Sequence, residues 1–156
     1  MRDFSKVSPL LYRSHRYRSL GDDAKLLFHY LLTSEHQNSA GAYRLPTGYA
    51  LVDMDWDAER YEPAMQELVQ VDMIARDMAT DEVRICRWFK HNPPMNPSHR
   101  KGIASLLTKL ESNELREQAI AELQQVEMEK FTGPGKQPSG FHNGDLTKTR
   151  FFSGTQ

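Results

Sequence analysis

AYRLPTGYALVDMDWDAERYEPAMQELVQVDMIAR, residues 42–76, carries a strand, two helices and the turn between them in one short stretch. Ala42-Tyr43-Arg44-Leu45 suits a short strand, and Pro46 stops it because proline offers no amide to a ladder. Residues 47–54 are long enough for about two helical turns, with Thr47 as a candidate cap. Asp55-Trp56-Asp57 makes the turn: Asp57 caps the next helix and Trp56 supplies a large apolar anchor between the two. That next helix, residues 58–71, has Tyr61, Met65, Leu68 and Val69 as its inward positions. Pro63 lies early enough after an Asp57 cap to bend the helix rather than end it, since only one or two backbone bonds are lost.

Outward from this stretch the signals stay regular. Leu20, Ala24, Leu27, Phe28 and Leu31 form one helical stripe, predicting an amphipathic helix over 20–33 with Ser19 as a cap candidate three residues ahead of Asp22. Residues 35–41, rich in Asn, Ser and Gly, read as a connection. Residues 74–76 and 83–88 flank a polar tip at 77–82 and predict a β-hairpin. The order is therefore helix, strand, helix, turn, helix, hairpin. That is the order of a winged helix-turn-helix, an α+β fold whose small sheet needs helices on its inner face.

Asn92-Pro93-Pro94-Met95-Asn96-Pro97 ends regular structure and makes a rigid exit. Two further helices are expected at 98–110 and 112–130, the second with Leu115, Ala119, Leu123 and Val126 on a stripe that packs on the domain or pairs with a second copy. The organisation expected is a winged helix-turn-helix domain at 4–97, a helical extension at 98–130 and a flexible tail at 131–156, where Phe151-Phe152 offers an aromatic pair to a partner.

The chain has 156 residues, of which 38% are hydrophobic, which is room for one modest core. Its one cysteine, Cys86, cannot close an internal disulfide, and inside a predicted strand it reads as a small buried hydrophobe. No apolar run reaches the roughly 18 to 20 residues of a membrane span, and the opening MRDFSKVSPLL lacks the layout of a signal peptide. A soluble cytoplasmic protein is the expectation.

The net charge of −1 hides a sorting of charges along the chain. Residues 1–20 hold Arg2, Lys6, Arg13, Arg16 and Arg18 against Asp3, and residues 84–101 hold Arg84, Arg87, Lys90, Arg100 and Lys101 with no acid. Between them, residues 50–82 hold Asp53, Asp55, Asp57, Glu59, Glu62, Glu67, Asp72, Asp77, Asp81 and Glu82 against Arg60 and Arg76. Two basic segments around an acidic one make a bipolar surface if the fold brings the basic ends together.

Arg16-Tyr17-Arg18-Ser19-Leu20, LLTSEHQNSAGAYRLP (31–46), GYALVDMDW (48–56) and RWFKHNPPMNP (87–97) together carry a likeness. The chain resembles, over residues 4–105, the winged-helix domain at the amino end of phage and prophage replication-initiation proteins, related in layout to DnaD-type replisome organisers. The resemblance is most specific at Tyr43-Arg44-Leu45-Pro46 and Trp88-Phe89-Lys90-His91-Asn92-Pro93. It implies a DNA-replication role in a bacterial or phage setting. Such initiators usually carry a sizeable second domain that recruits or loads a helicase, whereas only about 50 residues follow here. The extension at 98–130 then contacts a replisome protein or a second copy, or the chain has a narrower role.

The candidate DNA-binding residues follow from charge and position. Arg13, Arg16 and Arg18, with Tyr12 and Tyr17 interleaved, suit phosphate contact and stacking. Arg84, Arg87, Lys90, Arg100 and Lys101 lie on and after the hairpin, and Arg60 and Gln66 are the attractive base readers on the third helix. The acidic neighbours of that helix disfavour strong base-specific reading. Duplex and single-stranded DNA both remain open. His29 and His91 lack metal-ligand spacing and no GxxxxGK loop occurs, so neither catalysis nor a cofactor is expected. Two other readings stand beside the replication adaptor: a dimeric winged-helix transcriptional regulator, and a protein-interaction module without DNA binding that uses its acidic face.

Overall fold

The computed structural model describes residues 5–132. Among these the chain is α+β, with seven α-helices and one three-stranded antiparallel sheet. A 3-10 turn, Pro9–Arg13, and a short helix α1, His15–Arg18, precede α2, Asp22–Thr33. Strand β1, Ala42–Arg44, leads to α3, Thr47–Met54, and α4, Ala58–Gln70. The hairpin is β2, Ile74–Asp77, and β3, Glu82–Ile85. Helices α5, Trp88–His91, α6, Pro97–Leu107, and α7, Asn113–Thr132, complete it.

The helix pair α2 and α4 forms the heart of the core. Ala24, Leu27, Phe28, Leu31 and Leu32 of α2 are buried with Tyr61, Ala64, Met65 and Leu68 of α4, each set recurring at three- and four-residue steps as one helical face must. Val69, expected inward, is 43% exposed, because it sits about a third of a turn past Leu68. Pro63 leaves α4 continuous, and Asp57 caps it by accepting the Arg60 amide at 2.9 Å. The cap expected of Ser19 is not made: its hydroxyl donates to Arg16 O at 2.9 Å, and the Gly21 amide at the start of α2 donates to Glu67 Oε1 at 2.6 Å.

The sheet runs β1-β3-β2, with Tyr43 opposite Val83 and Ile74 opposite Ile85. Its inner face carries Tyr43, whose hydroxyl donates to Leu31 O at 2.6 Å and so ties the sheet to α2. Strand β3 is shorter than the 83–88 run expected. Arg87 adopts φ 61°, in the left-handed region, which breaks the extended chain and starts α5, where Trp88 and Phe89 remain buried. Gly41 answers Trp88 from the other side: it has φ +65°, and a Cβ there would lie 2.2 Å from Trp88 Cγ. The indole N–H donates to Ser39 O at 2.9 Å.

Residues 103–123 belong to the same buried cluster as α2 and the sheet, through Ile103, Leu107, Leu110, Ala119 and Leu123. The stripe on α7 is thus used within the chain, with Leu115 also buried and Val126 packed against the core. Two carboxylates fasten it. Glu82, only 3% exposed, accepts the Glu111 and Ser112 amides at 2.9 and 2.8 Å, just ahead of α7. Glu122 of α7 accepts the Arg87 and Phe89 amides at 3.1 and 2.8 Å, at the start of α5. Each carboxylate satisfies orphan amides at a helix start, where negative charge is also favoured by the backbone dipoles. The Phe151-Phe152 pair and the rest of the expected tail beyond residue 132 lie outside the described residues.

Candidate nucleic-acid interface

The two basic segments meet. A cleft of about 160 Å³ is lined by Lys6, Val7, Leu10, Leu11 and Arg16 from the amino-terminal segment and by Ile85, Cys86, Arg87, Trp88, Lys90, His91 and Asn92 from the segment after the hairpin, with Phe28, Leu32 and Met73 also in its wall. Lys6, Arg16, Arg87, Lys90 and His91 bring nitrogen donors to it, and no Asp or Glu lines it. Burial is the main cause that lowers the pKa of His91, with the Lys90 and Arg87 charges next, so the ring senses the surrounding positive charge directly.

Of the expected contact residues, only Arg16, Arg87 and Lys90 line this cleft. Arg87 and Lys90 are exposed. Arg16 turns its guanidinium to Asp72, bonding the backbone oxygen and, at 3.3 Å, the carboxylate. Arg13 and Arg18 are exposed on the neighbouring turn and on α1. Tyr12, 61% exposed, stands edge-on to Tyr17, with ring centroids 5.5 Å apart.

The remaining candidates lie elsewhere and are differently engaged. Arg84 has a side chain only 12% exposed; it bonds Glu122 at 2.8 Å and Gln118 at 3.2 Å, so its charge is spent inside the molecule. Arg100 makes a two-pronged pair with Glu127 at 2.5 and 2.9 Å, leaving Lys101 as the exposed cation beside it on α6. Arg60 lies 2.5 Å from Asp23 and stacks over Trp56, 4.1 Å from the ring centroid. Its pKa is raised, first by the hydrogen bond to Asp23. Gln66 is exposed on α4 in the company of Glu59 and Glu62, the latter paired with Arg76 at 2.8 Å. No residue of α4 lines the basic cleft.

Sequence reasoning passed over Lys6 and His91 as contact residues. Lys6 was visible as part of the basic opening segment, and His91 as a neighbour of Lys90. The apolar wall had no such signal, because Phe28, Leu32 and Met73 belong to elements remote in sequence.

Among the described residues no group of three or more His, Cys, Asp or Glu is placed to hold a metal ion, and no helix is long and apolar enough to cross a membrane. Cys86 sits just past β3, half-buried, with its thiol pushed up to about 11, mainly by burial. It is therefore a thiol, not a thiolate, at neutral pH. No family model, characterised protein or solved structure matches the chain.

Proposed function

We propose that this chain is a DNA-binding protein with a winged helix-turn-helix architecture that acts, without catalysis of its own, in the replication of phage or prophage DNA. The order helix α2, strand β1, helices α3 and α4, then hairpin, with the sheet ordered β1-β3-β2, supports the architecture. The observation that carries the binding role is the convergence of Lys6, Arg16, Arg87, Lys90 and His91 on one cleft free of acidic lining residues. Cations gathered this way neutralise phosphates and release counterions, which supplies affinity without sequence reading. The replication setting rests on the resemblance carried by the Tyr43-Arg44-Leu45-Pro46 and Trp88-Phe89-Lys90-His91-Asn92-Pro93 segments.

In this reading the third helix of the motif, α4, is not the main contact. Its Arg60 is held by Asp23, and Glu59, Glu62 and Gln66 dominate its outer side. That acidic surface favours a protein partner on α4 while DNA is held at the cleft. A replisome protein or a second copy meeting the extension would approach α7 on its outer side, near Ile120 and Met128, because the apolar stripe is already used.

Fluorescence anisotropy with random-sequence DNA across a salt series tests the proposal. Binding that weakens with a log-log slope equivalent to about three neutralised phosphates is the expected result. Absence of binding at low salt leaves a protein-interaction module and removes the DNA role.

A further inference from the structure

The cleft is apolar as well as basic. Beside its cations the cleft is lined by apolar residues, of which Leu10 is exposed and Val7 and Leu11 are half-buried, while Phe28, Leu32, Met73, Ile85 and Trp88 belong to the buried core. Phosphate contact alone has no use for such a lining: a duplex presents sugar, phosphate and base edges, with the base faces stacked inside it. An unpaired base has an exposed π-face and gains by lying on apolar side chains while its flanking phosphates meet the cations.

We infer that the cleft takes an unpaired nucleobase of single-stranded DNA, its flanking phosphates lying against Lys6, Arg87 and Lys90. The inference rests on the DNA-binding role proposed above and adds the strand form that is bound. The charge pattern suits this occupant, since the lining mixes apolar residues with Lys6, Arg16, Arg87, Lys90 and His91 and holds no carboxylate. Arg87 and Lys90 are well placed to reach along a backbone because α5 is a single turn and both side chains are exposed at its edge. Arg16 is less available, being turned to Asp72.

The test compares oligothymidylate, an abasic oligonucleotide of equal length and a duplex of random sequence, each against the full chain at one low salt concentration. The abasic strand keeps the phosphates and removes the bases, so it separates base from backbone. Oligothymidylate binding about tenfold more tightly than the abasic strand, and more tightly than the duplex, is the expected outcome, in line with the contribution of one stacked base. Leu10→Ser, at a site 61% exposed in the cleft wall, should lower oligothymidylate affinity and leave the abasic strand unaffected. Equal affinity for the abasic strand and oligothymidylate overturns the inference while DNA binding stands. Preference for the duplex does the same. Displacement of oligothymidylate by a far lower concentration of an acidic peptide bearing an aromatic residue would assign the cleft to a protein. Failure of all three oligonucleotides to bind removes the DNA-binding role and the inference together.

Discussion

The Arg84 guanidinium lies 2.8 Å from the Glu122 carboxylate, joining β3 to α7 across 38 positions of sequence. Both side chains are largely buried, at 12% and 17% exposure, and the carboxylate also takes the backbone amides of Arg87 and Phe89 at the start of α5. Removing one partner of such a pair leaves an uncompensated charge in a poorly solvated place, which costs more than the pair contributes. Arg84→Ala should therefore destabilise the fold by about 3 kcal/mol. Chemical denaturation gives the number, and a loss under about 1 kcal/mol would mean that water reaches Glu122 freely.

Gly41 is a second structural test. A methyl group there collides with the Trp88 ring and asks an L-residue to hold φ +65°. Gly41→Ala should cost about 3 kcal/mol or more, the sum of overpacking and left-handed strain. Pairing it with Trp88→Ala should recover none of the backbone part. A thermal melt unchanged by Gly41→Ala would contradict the close approach.

At the cleft, Arg87→Ala and Lys90→Ala should each flatten the salt dependence of DNA binding by close to one phosphate equivalent, without altering the unfolding midpoint. Arg60→Ala is the contrast, because Asp23 and Trp56 already occupy that guanidinium. It should leave affinity unchanged. If Arg60→Ala weakens binding more than Lys90→Ala, α4 is the reader after all.

The depressed pKa of His91 gives a pH signature. An ordinary imidazole titrates near 6.5, so this ring is neutral at pH 7 and gains its proton only in more acidic solution. DNA affinity should rise as pH falls below the ordinary imidazole range, and His91→Gln should abolish the rise. The sign for stability is opposite. A folded pKa below the unfolded one makes His91's contribution present above the unfolded value and lost as pH falls through the folded value. Proton uptake on binding, measured by calorimetry in two buffers, distinguishes the two effects.

Cys86 titrates at the other end of the scale. With its thiol pushed up to about 11, alkylation by iodoacetamide should be slow at pH 8 and rise only as the solution approaches that value. Because the folded pKa is the higher one, its contribution is present below the unfolded value and declines as pH rises toward the folded one. Rapid labelling at pH 7 would place the thiol in water instead.

Much of the architecture was legible because its signals are local. Helix α3 occupies residues 47–54 as expected, since Pro46 and the Asp55-Trp56-Asp57 turn bound it on both sides, and Asp55 supplies the left-handed residue that ends it. The site was only partly legible. Arg84 and Arg87 look alike in a charge count, yet one meets α7 and the other faces solvent, a difference decided by glutamates far along the chain. The overrun of β3 has the same origin. Ile85, Trp88 and Phe89 are all buried, so hydrophobicity continued past the point where Arg87 turned the backbone.

The double fastening of α7 also bears on synthesis. When residues 82–91 leave the ribosome, Glu82 still lacks the amides of Glu111 and Ser112, and Arg84 still lacks Glu122. Residues 4–97 are thus made before the groups that neutralise and cap their own sheet. Nascent chains would wait, incomplete at β3, until translation has passed the middle of α7, and the basic cleft beside α5 would acquire its final form only then.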